Sequence, residues 1–396
     1  MARTLATVQI ISKLESIKNA DKIELASFED LGWKCVMKKG ESTIGSAVVY
    51  FEIDSLVPDK PEFEFLRDSK FKIKSRLFRG QLSQGLALPI SVVSGLNGVK
   101  LTKGLDLTEK LGILNYVKIA EEAEDVCDIN TIDKKSNSKV VKFLMQYRVF
   151  RKAYSAINKK KKDKGWPSWI SKTDETRIQN CTRILEELNG VKCYISVKCD
   201  GKSMTTWIEK TSRFNKSIHN FCKKVGINLP EASNLVVAGR NMVFRKDNNS
   251  DYWTTANNLS IKDKLMKDNG KYCLQGELCG PKIQANRIGL KEYHYYIFNI
   301  FDREEKRFLD YQEFIDTAKR LELETVPIDE TIVIDETYTV DKLLEMAKGK
   351  YNSGHEREGI VVRPVINKYS DKLRGRTSFK AINNEFLLKI ENGRDK

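Results

Sequence analysis

Runs of strand-forming residues broken by glycine and polar turns recur along this chain, and the run from Cys193 to Ile208 constrains it most. Cys193-Tyr194-Ile195-Ser196-Val197 is rich in residues that favour strands. Gly201 lets the backbone turn tightly, and Ser203-Met204-Thr205-Thr206-Trp207-Ile208 reads as the returning strand. Side chains at i and i+2 of a strand share a face, so Lys198 and Asp200 are expected to project together. That arrangement sets an amine nucleophile beside a carboxylate at a strand end. Cys199, between them, is expected to face away as a small core residue.

At 396 residues the chain has room for two domains with separate cores. Its 40% hydrophobic and 31% charged content suits a soluble globular protein. No apolar run approaches the ~20 residues of a membrane span, and Met1-Ala2-Arg3-Thr4-Leu5-Ala6 lacks the apolar core of a secretory signal. The eight cysteines form no CxxC pair and there are three histidines, which excludes a zinc cluster of the usual spacing. Unpaired cysteines within predicted core strands point to reduced thiols inside a cell, in cytoplasm or nucleus. Lys and Arg number 69 against 54 Asp and Glu, a net charge of +15. Such an excess suits a polyanionic partner, although charge alone does not separate nucleic acid from an anionic membrane.

Residues 1–115 read as a small β-barrel domain. Ala6-Thr7-Val8-Gln9-Ile10, Trp33-Lys34-Cys35-Val36-Met37 and Ala47-Val48-Val49-Tyr50-Phe51-Glu52-Ile53 are short alternating runs between turn residues. From Phe71 to Leu86 basic and apolar residues alternate, so a strand there sets Lys72, Lys74 and Arg76 on one face, a candidate nucleic-acid surface. Residues 116–165 read as a connector: an acidic patch at Glu121–Asp125, helical spacing over Val140–Tyr154, then the basic run Lys159–Lys162. Residues 166–396 read as a larger α+β domain. Its strands are expected near 193–209, 235–244, 272–279, 293–302, 358–363 and 377–382, with helices near 174–187, 214–224, 310–321 and 339–348.

Lys198-Cys199-Asp200-Gly201 resembles motif I of the covalent nucleotidyltransferases, the superfamily of DNA ligases, RNA ligases and mRNA capping enzymes. Further segments follow in the order of that superfamily. Val236-Val237-Ala238-Gly239-Arg240-Asn241 resembles motif Ia, Leu274-Gln275-Gly276-Glu277-Leu278 motif III, and Tyr295-Tyr296-Ile297-Phe298-Asn299 motif IIIa. Glu358-Gly359-Ile360-Val361-Val362-Arg363 resembles motif IV, and Ser378-Phe379-Lys380-Ala381-Ile382 motif V. Taken singly, each has an ordinary structural reading; together they form an ordered set.

The resemblance implies that Lys198 attacks ATP and holds AMP as a phosphoramidate. Phe298 would stack on the base, Arg240 would meet ribose or phosphate, Glu277 would reach the ribose hydroxyls, and Lys380 would neutralise the α-phosphate. A free lysine has a pKa of ~10.4, and Asp200, Glu277 and Glu358 would raise it further. Mg²⁺ or Mn²⁺ held by those three carboxylates, largely through water, would offset them.

Trp166-Pro167-Ser168-Trp169-Ile170-Ser171-Lys172-Thr173-Asp174-Glu175-Thr176-Arg177-Ile178-Gln179-Asn180 narrows the resemblance. It is similar to the lead-in of ATP-dependent RNA ligases that carry an OB domain in front of the nucleotidyltransferase domain, the nick-sealing family. There an arginine placed like Arg177 meets the β,γ-phosphates, here expected to be aimed by a helix capped at Thr173 or Asp174. Gly45–Ile53 likewise resembles an OB strand. DNA ligases and capping enzymes, the alternatives, usually carry their OB domain after motif V, and about 16 residues follow Lys380 here. A non-catalytic nucleic-acid-binding module is the remaining rival, disfavoured by intact Lys198, Glu277, Glu358 and Lys380. One departure is Ile382, where a second lysine is common; Lys389 is the candidate substitute. The expected partner is a nicked RNA or RNA/DNA duplex, bound by a monomer.

Overall fold

A computed structural model describes residues 3–117, 119, 166–210, 233–244 and 250–391. Most of the expected connector, with its Val140–Tyr154 helix and basic run, and the helix expected near 214–224 lie outside the described residues.

The amino-terminal unit is an OB-fold built on a five-stranded curled sheet. Its order is Lys34–Lys38, Ala20–Phe28, Ala6–Ile17, Ala47–Phe51, Leu86–Pro89. It is a half-barrel rather than a closed one. Gln84 N–H donates to Lys34 O at 2.9 Å and Val36 N–H to Ser83 Oγ at 2.9 Å, which tie the two edges without a continuous ladder. The inner strand Ala47–Phe51 reads AVVYF without alternation because both of its faces are covered. Val49 and Phe51 pack with Leu5, Val8, Phe63 and Leu107 on one side. Val48 and Tyr50 join Phe28, Trp33 and Met37 on the other, together with Ile382, Phe386 and Leu387 from the far end of the chain.

The stretch Phe71–Leu86 is not one strand. Lys72 to Ser75 run extended beside Leu56 and Ser55, and then Arg76–Phe78 and Gln81–Ser83 form a separate hairpin. The period-two burial survives: Ile73 and Ser75 are buried, Lys72 and Lys74 partly exposed, Arg76 exposed.

The catalytic unit is α+β with two antiparallel-rich sheets. One has the order Thr176–Arg177, Phe379–Ile382, Gly359–Pro364, Lys192–Lys198, Ile328–Val333. The other runs Val243–Phe244, Ser233–Ala238, Lys202–Lys210, Tyr272–Cys279, His294–Asp302, Arg307–Phe308. Lys202–Lys210 therefore does not return along Lys192–Lys198. The turn at Cys199–Gly201 carries the chain from one sheet into the other, and the functional cleft opens between them.

The expected helix over 174–187 is also corrected. Thr176 and Arg177 pair in parallel with Phe379 and Lys380, a 3₁₀ turn spans Ile178–Asn180, and only Ile184–Glu187 is α-helical. Tertiary strand pairing overrides the local cap signal there. The helices Tyr311–Arg320 and Val340–Met346 stand where expected, the first closed by the Asp310/Glu313 capping box.

Candidate active site

Lys198 ends its strand opposite Gly359, and its Nζ lies 2.7 Å from Glu358 Oε2, with both side chains about one-fifth exposed (21% and 18%). Gly359 sits at φ 152°, where a Cβ would collide with Ala381 O, so Glu358 is delivered by a backbone that only glycine permits. Tyr351 buttresses both residues: its hydroxyl donates to Lys198 O at 3.1 Å and accepts from the Glu358 N–H at 3.2 Å.

A cleft opens where the two sheets face each other. Lys198, Val361, Arg363 and Lys380 line it from one sheet, Ser203, Glu277 and Phe298 from the other, with Arg240 just past the end of Ser233–Ala238. Phe298 reaches it through a bulge. Gln275 pairs with Asn299 and Gly276 with Ile297, leaving Phe298 as the extra residue, turned inward. Arg363, buried, lies over the Phe298 ring at 5.7 Å and donates to Glu175 Oε1 at 2.6 Å.

The electrostatics are strongly coupled. Burial opposes the charge on Lys198, but Glu358 and Glu277 outweigh it and hold the ammonium above the ordinary lysine range. Burial pushes Glu277 up to about 8, with Lys198 opposing. Burial likewise lowers Lys380, against the pull of Asp174, whose Oδ1 is 3.2 Å from its Nζ.

Two expected placements change. Asp200 stays within electrostatic reach of Lys198 and Glu358, yet its direct partner is an arginine. Its Oδ2 takes a 2.7 Å ion pair from Arg287, both side chains nearly buried, because the turn after Lys198 swings it toward the 281–293 loop. Among the described residues no three His, Cys, Asp or Glu side chains are grouped to hold a metal, and Glu277 and Glu358 face Lys198. Arg177 does not line the cleft either. Its Nη2 donates to Asp54 of the OB unit at 2.9 Å, and Asp54 also receives Arg3 at 2.8 Å. Glu52 accepts from Asn180 at 3.0 Å, and the Trp33 indole donates to the Asn180 amide oxygen.

Lys389 pairs with Glu356 at 3.1 Å instead of entering the cleft, and Ile382 is core between the two units. Of the basic face, Lys72 lies over Tyr116 at 4.9 Å, with burial and then Lys74 lowering its pKa, while Arg76 is exposed. Cys199 packs with Cys279 and Val326 and touches the cleft edge. Sequence reasoning missed Arg287, Glu175 and Arg363 as partners of the site. Arg363 and Glu175 lay inside recognised segments, whereas Arg287 sits in a loop with no periodicity to mark it.

Comparison with known proteins follows the same outline. A family model described as an OB-fold domain matches residues 5–90, and one described as RNA ligase matches residues 191–382. The structure is similar to Naegleria gruberi RNA ligase with PPi, at 28% identity and TM-score 0.73, covering 99% of this chain and 100% of that one. A lysine-to-alanine variant of the same enzyme with ATP and Mn is similar at 28% identity and TM-score 0.72, covering 97% and 98%. A lysine-to-methionine variant with AMP and Mn is similar at 28% identity and TM-score 0.72, covering 98% and 99%. No curated protein matches the sequence.

Proposed function

We propose that this chain is an ATP-dependent RNA ligase with an OB-fold domain ahead of its ligase domain, and that its residues divide the work and select the ends as follows. The observation that carries the reading is the Lys198 amine in a cleft lined by both sheets, 2.7 Å from Glu358.

In the first step Lys198 Nζ forms a bond to the α-phosphorus of ATP, the bond to the β-phosphate oxygen breaks, and pyrophosphate leaves. In the second, a 5′-phosphate oxygen of the polynucleotide takes the adenylyl group and Lys198 is released. In the third, a 3′-hydroxyl attacks that 5′-phosphate, AMP departs, and a phosphodiester is formed. Phe298 stacks on the adenine, Glu277 holds the ribose, and Arg240 meets ribose or phosphate. Lys380 neutralises charge on the α-phosphate as it redistributes. Arg177, the register partner of Lys380 in the parallel pair, acts on the pyrophosphate end.

Glu277 and Glu358 suit a divalent cation, because burial already forces Glu277 toward its neutral form and a nearby cation relieves that. Held there largely through water, Mg²⁺ or Mn²⁺ would supply positive charge that favours the neutral amine of Lys198. Asp200 stands behind these two carboxylates, fixed by Arg287.

The substrate we propose is a 3′-OH/5′-phosphate nick in a duplex with RNA on the 3′-hydroxyl side. Lys72, Lys74 and Arg76 grip flanking phosphates, and the 2′-hydroxyls and A-form shape of the 3′ strand supply the choice of RNA. The division into an OB domain (1–115), a connector (116–165) and a ligase domain (166–396) belongs to the same reading, as does a monomer in cytoplasm or nucleus. Free cysteines support the intracellular placement. Among the described residues no helix is long and apolar enough to cross a membrane.

Intact mass after incubation with ATP and Mg²⁺ or Mn²⁺ tests the chemistry: the wild type gains one AMP and Lys198→Ala gains none. Nicks ending in one or two 3′ ribonucleotides are sealed, all-DNA nicks poorly. Equal rates on the two would sink the substrate assignment.

A further inference from the structure

From Ser69 to Leu105 the chain carries seven Lys or Arg residues and no Asp or Glu, although 54 acidic residues are spread over its 396 positions. The hairpin Arg76–Phe78/Gln81–Ser83 rises from this stretch as a sheet of its own, turning at Arg79 (φ 51°) and Gly80 (φ 83°). A two-stranded hairpin normally buries one face. Here every residue from Arg76 to Gly80 is exposed, Leu77 at 56% and Phe78 at 39%.

Leu77 and Phe78 thus both stand in water on opposite faces of the strand, Phe78 sharing its face with Arg76, and Arg79 follows at the turn. The charge selects a polyanion. The apolar pair selects further: a perfect duplex turns its phosphates outward and hides its base faces, so gripping it would draw nothing from Leu and Phe. Unpaired nucleotides expose both phosphates and base faces, and aromatic side chains stack on the latter whatever the sequence.

We propose that this hairpin is a binding site for unpaired nucleotides of the RNA substrate, with Phe78 stacked on a base, Arg76 of the same face and Arg79 of the turn on the adjoining phosphates, and Leu77 offering apolar surface on the other face. It rests on the reading that the chain joins RNA ends, and adds that the nicked duplex carries an unpaired stretch nearby, such as a single-stranded tail or a frayed terminus.

Fluorescence anisotropy with the full chain, a short labelled single-stranded RNA and a blunt duplex of the same sequence tests it. Leu77→Ser/Phe78→Ser should weaken single-strand binding about tenfold or more and leave the salt dependence as it is. Phe78→Trp, which keeps a ring, should hold the affinity. Arg76→Gln/Arg79→Gln should flatten the slope of log affinity against log salt by about 1.4. The proposal is overturned if Leu77→Ser/Phe78→Ser binds the single strand like wild type, loses duplex affinity equally, or is matched in its loss by Phe78→Trp. A wild type that seals duplex nicks yet binds no single strand removes the hairpin site and leaves nick sealing intact. One that binds single strands but seals no nick does the opposite.

Discussion

Gly201 decides how closely the nucleophile's turn approaches Glu277. A Cβ there would lie 2.5 Å from Leu278 O, 2.7 Å from Cys279 Sγ and 2.9 Å from Glu277 Cγ. Gly201→Ala must therefore push the turn off the strand Tyr272–Cys279 and move Lys198 relative to Glu358. We expect a loss of about 1–3 kcal/mol in stability and a fall in protein–AMP formation on the order of 100-fold, read by thermal melting and intact mass. A second residue-scale prediction concerns pH. Glu358 and Glu277 overcome the burial of Lys198 and raise its pKa, so the reactive neutral amine accumulates only as pH rises. The rate of AMP transfer to Lys198 at limiting cation should keep climbing above neutrality, and saturating Mg²⁺ or Mn²⁺ should move the profile to lower pH. Profiles that coincide at both cation levels would refute the electrostatic account.

At the scale of elements, the short parallel pair Thr176–Arg177 with Phe379–Lys380 sets two cations side by side, yet the Arg177 guanidinium is fastened to Asp54. Arg177→Ala should slow AMP transfer from ATP far more than sealing of a pre-adenylated strand, because pyrophosphate is absent from the later steps. Equal losses in single-turnover assays of both would remove the leaving-group role. Asp54 bears on stability as well. Burial raises its pKa, but Arg177 and Arg3 outweigh this and hold it below the usual carboxylate range. Its contribution is therefore present above the unfolded value of about 3.9 and fades as pH falls through the folded one. Asp54→Asn should cost about 3 kcal/mol near neutrality, and its deficit in melting temperature relative to wild type should shrink below about pH 4.

The whole molecule is joined through the C-terminal helix Asn384–Glu391. Phe386 and Leu387 fill one face of the curled OB sheet, and the Arg287 guanidinium lies 5.5 Å from the Phe386 ring, linking that seam to Asp200. Phe386→Ala should cost about 3–5 kcal/mol and divide calorimetric unfolding into two transitions, one per unit. A single, unshifted transition would show that the seam does not couple them.

Much of this was legible in the linear chain. Gly-Arg after one strand run, Gly-Glu within a second and Glu-Gly at the start of a third marked where Arg240, Glu277 and Glu358 project, and alternation in 1–115 marked a small β unit, because strand propensity and period-two burial are local properties. The sequence also determined that Lys198 ends a strand before a glycine turn. Only the tertiary structure decided that this turn passes between two sheets, that Phe298 reaches the cleft through a bulge, and that Asp200 answers to Arg287 and Arg177 to Asp54. Each of those depends on which strands pair and which charges are buried together across 87 and 123 residues of chain. An ion pair shielded from water is chosen by what folding leaves unpaired beside it, and no local pattern records that.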